Sequence, residues 1–395
     1  MKKKHDIAII HRSLTAGGVE KVLVNMLNEF DYSLFNIDLF LLDKDDFFAG
    51  QLNKNVNVIF EYSKFRKEKP TLKELLRKFR IFSALKVGFF FFISLFYKDK
   101  YEKKRIISKA YPMISKKKYE AIICYNGVSR ILLSDSVFNF NAKKKIAWIH
   151  GDGYKDIPKK LYSFFDKIFC VSKGVKNDFL TYLPNLHKKT DIFYNLLDTK
   201  EILLKANEPL EIEHDAFIIL TVARLSNEKG VTMIPEIVEK LKGDKYFFKW
   251  LLIGDGPLED ELTKTIKNKK IEDELIMLGL LKNPYNYMKM CDLYVQPSLT
   301  EGFCTTTNEV KLFCKPILVT NVNGMNEQFV NNKTAVIVDK NDANTLFCAI
   351  KRMIDDIDYR NYLSDNLRKN CFSKSNNNLK SLYLYLKSKK EYSKH

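Results

Sequence analysis

Short apolar segments alternate with helical stretches along most of this chain, and that alternation limits the fold more than any other feature of the sequence. The apolar segments lie at 6–10, 36–42, 56–60, 120–125, 144–150, 167–172 and 190–195, and then at 216–223, 247–254, 274–279, 292–298, 315–320 and 334–339. Strands that alternate with helices are typical of crossover units in a parallel sheet. The sequence therefore predicts an α/β protein with two mostly parallel sheets, in two domains that face each other across a cleft.

A polar, acidic segment at 199–215 separates the two series of strands. The chain has 395 residues, which is enough for about two domains that each bury a core. We predict an N-terminal Rossmann-like domain at residues 1–198 and a C-terminal Rossmann-like domain at residues 199–370. Residues 371–395 are expected to form a helix and tail that pack back toward the N-terminal domain.

Positive charge is concentrated in the first half of the chain. Of the formal net charge of +18, residues 1–200 contribute +17, with 38 Lys and Arg against 21 Asp and Glu. Residues 61–120 alone hold 18 basic and 6 acidic residues. A basic block of this kind is typical of proteins that bind nucleic acid or an anionic membrane, and also of ordinary solvated surfaces.

An apolar segment, IFSALKVGFFFFISLFY at 81–97, lies inside the basic block. Its uninterrupted apolar core, Val87–Phe96, has 10 residues, whereas a membrane-spanning helix needs roughly 20. Phe, Leu and Tyr flanked by Lys and Arg favour a helix that lies in the lipid headgroup region. The alternatives are a core helix with a basic exposed face and nucleic-acid binding, although no nucleic-acid motif accompanies the charge. We expect residues 61–120 to contact an anionic membrane surface, and we expect no nucleic-acid partner.

Cysteine usage indicates a reducing compartment. The seven cysteines include no C-x-x-C pair and no spacing suited to a metal, and the apolar run in MKKKHDIAII is too short for a cleavable signal. We therefore expect a cytoplasmic protein without a metal site.

Three loops that follow predicted strands carry groups able to bind an anion or a sugar. Gly17 and Gly18 let the backbone approach a ligand just before a helix start, whose free amides suit an anion. Arg224 and Lys229, in ARLSNEKG, suit a diphosphate. His150 ends a strand, and no other histidine is placed to form a metal cluster with it. Taken singly, the glycine pair fits a tight turn equally well, two basic residues in a loop are more often only solvated, and a lone histidine is usually structural.

The segment LTEGFCTTTNE places Glu301 and Glu309 eight positions apart, after one predicted strand and before the next. In an open α/β sheet, ligands bind at the carboxyl ends of the strands. The alternative is that Glu301 is an ordinary loop carboxylate and that Thr305 or Thr306 caps a helix whose first turn favours acids.

The order of these loops resembles that of the retaining nucleotide-sugar glycosyltransferases of the GT-B type, family 4. The likeness covers most of the chain and is strongest over 216–340, where the family's loops follow one another as TVARLSNEKG, LLIGDGP, MLGLL, YVQPSLTEGFCTTTNE and KPILVTNVNGMNE. The resemblance implies a GT-B fold and the transfer of a hexose-type sugar from a nucleoside-diphosphate sugar, with a UDP-sugar as the expected donor. It also implies retention of anomeric configuration, with no metal and no cofactor.

The resemblance assigns roles to residues of the C-terminal domain. Arg224 and Lys229 match the positions that hold the donor diphosphate, Glu301 the position that contacts hydroxyls of the donor sugar, and Glu309 the position that binds the ribose. Further donor contacts are implied for Phe303, Cys304, Thr305 and Thr306 beside the phosphates and sugar, and for Gly279 and Leu280 beside the base.

The resemblance also reaches the N-terminal domain. Gly17 and Gly18 match the loop that closes on the diphosphate, and His150 matches a histidine that reaches the transferred sugar. The catalytic residues implied are therefore Glu301, His150, Arg224 and Lys229. DKDD at 43–46 contains D-x-D, the metal motif of the other glycosyltransferase fold, but it is far in sequence from the phosphate-binding residues and is interpreted as surface acid.

These inferences combine into one hypothesis about function. The protein is expected to act at the inner face of the cell membrane on a lipid-linked saccharide acceptor, as in surface polysaccharide assembly. Residues 1–198 are expected to form the acceptor and membrane side, and residues 199–370 to bind the nucleotide sugar. Two alternatives stay open, a GT-B sugar-nucleotide epimerase and a non-catalytic saccharide- or lipid-binding subunit. Donor without acceptor would be turned over by the epimerase alone.

Overall fold

A computed structural model describes residues 4–44, 47–60, 81–109, 113–210, 215–370 and 378–388. The chain divides into an N-terminal unit, formed by residues 1–194 and 377–395, and a C-terminal unit, formed by residues 195–376. Parts of three predicted features lie outside the described residues, namely 61–80 and 110–112 of the basic block, 45–46 of DKDD, and 371–377 and 389–395 of the tail.

The N-terminal unit is built on a seven-stranded parallel sheet in the order β3-β2-β1-β4-β5-β6-β7. Its strands are β1 His5–His11, β2 Phe35–Leu41, β3 Val56–Ile59, β4 Tyr119–Cys124, β5 Ala142–Ile149, β6 Lys167–Cys170 and β7 Thr190–Ile192. Its first helices are α1 Gly18–Asn28, α2 Ile81–Leu95, α3 Lys100–Ser108, α4 Arg130–Phe138, α5 Lys159–Ser163 and α6 Lys173–Tyr182. The residues of β1 from Ile7 to Ile10 are fully buried, as expected for a parallel strand covered on both faces.

The C-terminal unit is built on a six-stranded parallel sheet in the order β10-β9-β8-β11-β12-β13. Its strands are β8 Phe217–Val222, β9 Phe248–Ile253, β10 Leu275–Gly279, β11 Leu293–Gln296, β12 Ile317–Thr320 and β13 Val336–Val338. Its helices are α7 Thr199–Lys205, α8 Ile234–Gly243, α9 Glu259–Lys269, α10 Tyr285–Met290, α11 Thr305–Val310, α12 Met325–Gln328, α13 Ala343–Asp355 and α14 Ile357–Asn370.

Alternate residues of the second sheet enter two separate hydrophobic cores. Trp250 and Leu252 of β9 pack in one core, and Leu251 and Ile253 of the same strand pack in the other. Because successive side chains of a strand point to opposite faces, helices cover both faces of this sheet. Burial on two sides therefore explains the mostly apolar sequence of residues 247–254.

The last described helix, α15 at Asn378–Lys387, belongs to the N-terminal unit. The buried Lys144 on β5 donates hydrogen bonds to the carbonyl oxygens of Tyr385, Leu386 and Ser388, at 2.5, 3.0 and 2.6 Å. The final carbonyl groups of a helix have no partners within the helix and carry partial negative charge. Lys144 therefore supplies both the hydrogen bonds and the charge that complete this helix end.

The prediction of two Rossmann-like parallel-sheet domains is confirmed, since each predicted strand overlaps an observed one. The predicted segment 292–298 extends past β11, which ends at Gln296 before Pro297. Proline has no amide hydrogen with which to continue a ladder. The cleft between the domains stays a prediction. None of the described helices is both long enough and apolar enough to cross a membrane.

Candidate functional site

The order of strands in the C-terminal unit reverses between the neighbouring strands β8 and β11. Ligands of open α/β sheets bind outside the carboxyl ends of the strands at such a point. The loop after β8 carries Arg224 and Lys229, and the loop after β11 carries Glu301. The structure thus brings two of the predicted loops to the place in the sheet where a ligand is expected.

Lys229 and Glu301 form an ion pair at this point, with 2.7 Å between the Lys229 Nζ and the Glu301 Oε1. The Lys229 side chain is 24% exposed and that of Glu301 is 6% exposed. Burial opposes the charge of Lys229, but the charge and hydrogen bond of Glu301 and the charge of Glu228 contribute to a net rise in the pKa of Lys229 above its usual value. A charged ammonium group is therefore held beside a carboxylate in a mostly water-excluded place.

A chain of buried polar side chains holds Glu301 from behind. Ser298 donates from its Oγ to the Glu301 Oε1 at 2.7 Å, and the Gln296 Nε2 donates to the Ser298 Oγ at 3.0 Å. The Tyr294 hydroxyl donates to the Gln296 Oε1 at 2.9 Å. Oε1 of Glu301 thus receives two donors, whereas Oε2 accepts no hydrogen bond within the described part of the chain. Sequence reasoning missed Ser298 and Gln296, although Ser298 precedes Glu301 by three positions.

The two loops approach each other closely, and a glycine makes that approach possible. Gly230 has a φ of +66°, and a Cβ at this position would collide with the carbonyl oxygen of Pro297. Glycine alone adopts this conformation readily and brings no side chain into the gap. The amide of Leu299 also donates to the carbonyl oxygen of Glu228 at 2.8 Å. The glycine that follows Lys229 is therefore required by the contact between the loops.

Arg224 lies at the exposed side of the same loop. Burial opposes ionisation of the nearby Glu228, but a hydrogen bond from Ser226 and the charges of Lys229 and Arg224 lower the pKa of Glu228 below its usual value. The loop after β8 therefore presents two cations with one carboxylate between them.

Glu309 lies on α11 and is buried. Its Oε1 accepts a hydrogen bond of 3.3 Å from the hydroxyl of Tyr285, which begins α10. Burial and the Glu309 carboxylate together raise the pKa of Tyr285, so the hydroxyl stays protonated and able to donate. Tyr285 is a further residue that sequence reasoning missed. It precedes Glu309 by 24 positions and lies in NPYNYMKM, a segment without a recognised motif.

The residues between the two glutamates form the start of α11. Cys304 occupies the N-cap position and makes no capping hydrogen bond through its side chain, so the alternative that Thr305 or Thr306 caps this helix is wrong. Thr306 instead donates to the Gln296 Oε1 at 3.3 Å. Burial raises the pKa of the Cys304 thiol to about 11, which keeps it protonated and unreactive. Phe303 lies against Gly324, and a Cβ on Gly324 would contact the backbone of Phe303.

Gly279 and Leu280 lie at the end of the edge strand β10, two strands away from β8. Gly279 has a φ of +67°, its carbonyl oxygen accepts from the amide of Gly254 at 2.9 Å, and Leu280 is exposed. Their predicted place beside a base stays a prediction.

The sheet of the N-terminal unit also reverses its strand order, between β1 and β4. His11 ends β1, Tyr125 follows β4, and His150 follows β5. The His150 Nε2 donates to the carbonyl oxygen of Tyr125 at 2.9 Å. Burial, and then the neighbouring His11, lower the pKa of His150 to about 3, so its imidazole is neutral near pH 7. His150 can therefore act as a hydrogen-bonding group rather than as a cation.

Gly17 and Gly18 lie where α1 begins, beside a pair of side chains that the sequence did not single out. The His11 Nε2 and the Glu20 Oε1 are 3.2 Å apart. A Cβ on Gly17 would overlap the Glu20 carboxylate. The glycine therefore leaves room for this carboxylate, a use that sequence analysis did not anticipate.

Within the part of the chain that the structure describes, no group of three or more His, Cys, Asp or Glu side chains could hold a metal ion. Asp43, the described acid of the D-x-D segment, accepts a hydrogen bond of 3.0 Å from Arg12, and both side chains are largely exposed.

Comparison with known proteins was made on both sequence and structure. Residues 205–370 match the family described as glycosyl transferases group 1. An N-acetylgalactosamine-N,N'-diacetylbacillosaminyl-diphospho-undecaprenol 4-alpha-N-acetylgalactosaminyltransferase of Campylobacter jejuni is 32% identical over 197 residues, which is 50% of this chain and 53% of that protein. A UDP-Gal:alpha-D-GlcNAc-diphosphoundecaprenol alpha-1,3-galactosyltransferase of Escherichia coli is 26% identical over 59% of this chain and 56% of its own length. The chain thus matches about half the length of these relatives.

Solved structures resemble the whole chain. Anabaena HepE in complex with UDP and glucose has a TM-score of 0.70 at 15% identity, covering 97% of this chain and 100% of its own. Staphylococcus aureus TarM in a complex that contains UDP has a TM-score of 0.68 at 13% identity, covering 97% of this chain and 99% of its own. At these identities the likeness shows the fold.

Proposed function

Because residues 205–370 match the glycosyl transferases group 1 family and the two parallel-sheet units have the GT-B fold, we propose that this protein is a glycosyltransferase. It moves a hexose-type sugar from a nucleoside-diphosphate sugar, with UDP as the expected nucleotide, to a lipid-linked saccharide in surface polysaccharide assembly. The observation that carries the proposal is the buried Lys229–Glu301 pair at the reversal point of the C-terminal sheet.

The donor site follows from the charges of this unit. Lys229 and Arg224 bind the diphosphate, since a buried ammonium group and an exposed guanidinium group offer donors to its oxygens. Oε2 of Glu301 accepts from hydroxyls of the donor sugar, because Oε1 is already occupied by Lys229 and Ser298. Glu309 accepts from the ribose hydroxyls, and Tyr285 holds its carboxylate.

The chemistry follows from where charge develops. Breaking the bond between the anomeric carbon and the phosphate oxygen leaves positive character on the sugar and adds negative charge to the leaving diphosphate. Lys229 and Arg224 stabilise the leaving group, and a fixed cation in a mostly water-excluded site is effective for this purpose. We propose a metal-independent reaction that retains anomeric configuration, with the neutral His150 donating a hydrogen bond to the transferred sugar.

The acceptor class follows from the relatives. The Campylobacter jejuni and Escherichia coli proteins carry names that place their acceptor sugars on diphospho-undecaprenol. A polyprenyl chain of that kind stays in a bilayer, so an enzyme that uses it must meet the membrane surface. We therefore place this protein at the inner face of the cell membrane, in the cytoplasm.

Helix α2 supplies an apolar surface for that contact. Phe82, Phe89, Phe92 and Phe96 are exposed to 91%, 60%, 59% and 75%, whereas Val87 is buried. The alternative of a core helix does not fit this exposure. A phenylalanine side chain that moves fully from water into an apolar phase contributes roughly 1.5–3 kcal/mol. Several together are enough to hold a helix at the lipid interface.

The following helix joins this surface to the rest of the unit and adds positive charge. Asp99 caps α3 by accepting from the amides of Tyr101 and Glu102, at 3.0 and 2.9 Å, and Ile106 is buried. Exposed basic side chains line the same stretch, namely Lys86, Lys98, Lys100, Lys104, Arg105 and Lys109. Each basic residue near an anionic surface adds about 1 kcal/mol of attraction.

Transfer is tested with radiolabelled sugar nucleotides and a short-chain polyprenyl-diphosphate N-acetylglucosamine as acceptor. A thermal-shift screen of UDP-, GDP-, ADP- and dTDP-sugars selects the donor, because a bound ligand raises the apparent stability. We expect a labelled lipid-linked product and an at least about tenfold lower rate for Lys229→Ala and Glu309→Ala, or roughly 1.4 kcal/mol. Near-normal rates in both variants would refute the site. Conversion of donor without acceptor would indicate an epimerase instead.

Membrane docking is tested by flotation with liposomes that contain or lack phosphatidylglycerol. We expect wild type to bind anionic liposomes at low salt, and Phe89→Asp/Phe92→Asp to lose that binding. Phe247→Asp is the matched control, because Phe247 is 71% exposed and lies in the C-terminal unit. Wild type that stays unbound at low salt would rule docking out.

A further inference from the structure

We propose that the reversal point of the N-terminal sheet is a second binding site, where Glu20 accepts hydrogen bonds from hydroxyls of the saccharide acceptor and His11 holds the Glu20 carboxylate. This inference rests on the proposed function, since it identifies the acceptor side of the same reaction. Glu20 would be a substrate-binding residue and His11 a positioning residue.

The place of the pair in the sheet is the first argument. His11 is the last residue of β1, and the chain after β4 continues through Tyr125. These strands are neighbours at the point where the strand order reverses, which is where open α/β sheets bind ligands. In the C-terminal unit the same topological position holds the Lys229–Glu301 pair. Each unit therefore has a carboxylate with a nitrogen-bearing partner at its reversal point.

The hydrogen bonding of the pair is the second argument. The His11 side chain is fully buried, and its Nε2 lies 3.2 Å from the Glu20 Oε1. The His11 Nδ1 is buried and has no hydrogen-bond partner among the residues that the structure describes. An unsatisfied buried polar atom costs about 1–3 kcal/mol, so stability alone does not favour a histidine here. Its use is to hold Glu20, whose side chain is 17% exposed.

The space left around Glu20 is the third argument. A side chain at residue 17 would push the flexible end of Glu20 away from its present position, and Gly17 lets the carboxylate stay there. Gly17 is also the N-cap of α1, and its extended backbone makes no side-chain cap. A serine or aspartate would cap the helix better. The residue present at this position therefore favours the observed position of the carboxylate over the capping of the helix.

The charge of the site selects the chemical class of ligand. A carboxylate accepts hydrogen bonds from sugar hydroxyls and repels the oxygens of a diphosphate. The rings of His11 and Tyr125 are 5.9 Å apart, and those of Tyr125 and His150 are 4.7 Å apart. The ring of Tyr125 thus lies between His11, the partner of Glu20, and His150, which the proposed function assigns to the transferred sugar. An acceptor must place its reacting hydroxyl beside that sugar, and Glu20 is placed to accept hydrogen bonds from hydroxyls of the acceptor.

The kinetic test uses Glu20→Gln, which keeps the shape of the side chain but weakens it as an acceptor. We expect the KM for polyprenyl-diphosphate N-acetylglucosamine to rise at least about tenfold, with the KM for the donor within about twofold of wild type. Glu29→Gln is the matched control, since Glu29 ends the same helix and is exposed. An unchanged acceptor KM, or a loss confined to the donor KM, would overturn the inference.

A binding test separates this inference from the proposed function. Wild type with [15N]histidine is titrated with farnesyl-diphosphate N-acetylglucosamine, and the ring signals of His11 are assigned with His11→Gln. We expect these signals to shift with this compound, but not with farnesyl diphosphate, and the shift to be lost in Glu20→Gln. A shift without any transfer would refute the proposed function alone. Transfer without a shift would refute this inference alone, and the absence of both would refute the two together.

Discussion

At the scale of single residues, the proposed role of Glu301 depends on which groups bond to each of its two carboxylate oxygens. Oε1 receives Ser298 and Lys229, both at 2.7 Å, which fixes the orientation of the carboxylate. Removing one partner of a buried charged pair is costly because the other charge is left uncompensated. Ser298 touches neither the phosphates nor the ribose in the proposed donor complex, so its effect on the donor passes through its partner Glu301.

Ser298→Ala should therefore weaken sugar recognition without weakening nucleotide binding. We expect the affinity for UDP to stay within about twofold of wild type and the affinity for the UDP-sugar to fall about five- to tenfold, or roughly 1–1.4 kcal/mol. Calorimetric titration with both ligands measures the two effects, and Ser298→Thr, which keeps the hydroxyl, should restore part of the loss. Equal losses for UDP and UDP-sugar would indicate a general structural defect instead.

His150 gives a prediction about pH. Its pKa in the folded protein is about 3, against a usual value of 6.5. The unfolded chain therefore binds a proton that the folded protein excludes, and this residue lowers the stability progressively as pH falls from about 6.5 towards 3. The free energy of unfolding changes with pH by at most about 1.4 kcal/mol per unit through this residue. The actual change is smaller, because His150 is only half-buried.

His150→Gln removes that titration and keeps a donor for the carbonyl oxygen of Tyr125. We expect the Tm of His150→Gln minus that of wild type to increase as the pH is lowered from 7.5 to 5, because only wild type loses stability when its unfolded chain binds the proton. Circular dichroism at a series of pH values measures the difference. A Tm difference that is independent of pH would show that the pKa of His150 is the same in the folded and the unfolded protein, which contradicts the account.

At the scale of helices and strands, the buried parallel strands could be predicted and the contacts between loops could not. Segments such as AFIILTVA and FFKWLLIG are mostly apolar because both faces of their sheet are covered, and this pattern is local in sequence. The pairing of Lys229 with Glu301 joins residues that are 72 positions apart. The resemblance identified both residues, but only the structure shows that Ser298 and Gln296 support them.

Helix α15 provides a prediction at this scale. Lys144→Met keeps most of the side-chain volume but leaves the last carbonyl groups of the helix without their donor. We expect amide hydrogen exchange at 378–388 to become at least about tenfold faster, while exchange in β8 of the other unit is unchanged. Lys143→Met is the matched control, because Lys143 is largely exposed and pairs with Glu120 at the surface. Equal exchange in the two variants would contradict the role given to Lys144.

At the scale of the whole molecule, the two units share a design that the sequence alone did not reveal. Each sheet reverses its strand order once, and each reversal point carries a paired carboxylate, Glu20 in one unit and Glu301 in the other. His11 and Glu20 escaped sequence analysis because an isolated histidine and an acid in a first helical turn are both common. Strand β4, which pairs with β1 and so creates the reversal point, lies more than 100 positions further along the chain.

The claim on which the whole account depends is that Lys229 binds the diphosphate of the donor. Calorimetric titration of UDP into wild type, Lys229→Ala and the control Lys264→Ala, an exposed lysine of α9, tests this claim most directly. We predict one binding site in wild type, an affinity within about twofold in Lys264→Ala, and an at least about tenfold weaker affinity in Lys229→Ala, or roughly 1.4 kcal/mol. Wild type without affinity for UDP, or Lys229→Ala with the affinity of wild type, would contradict the account.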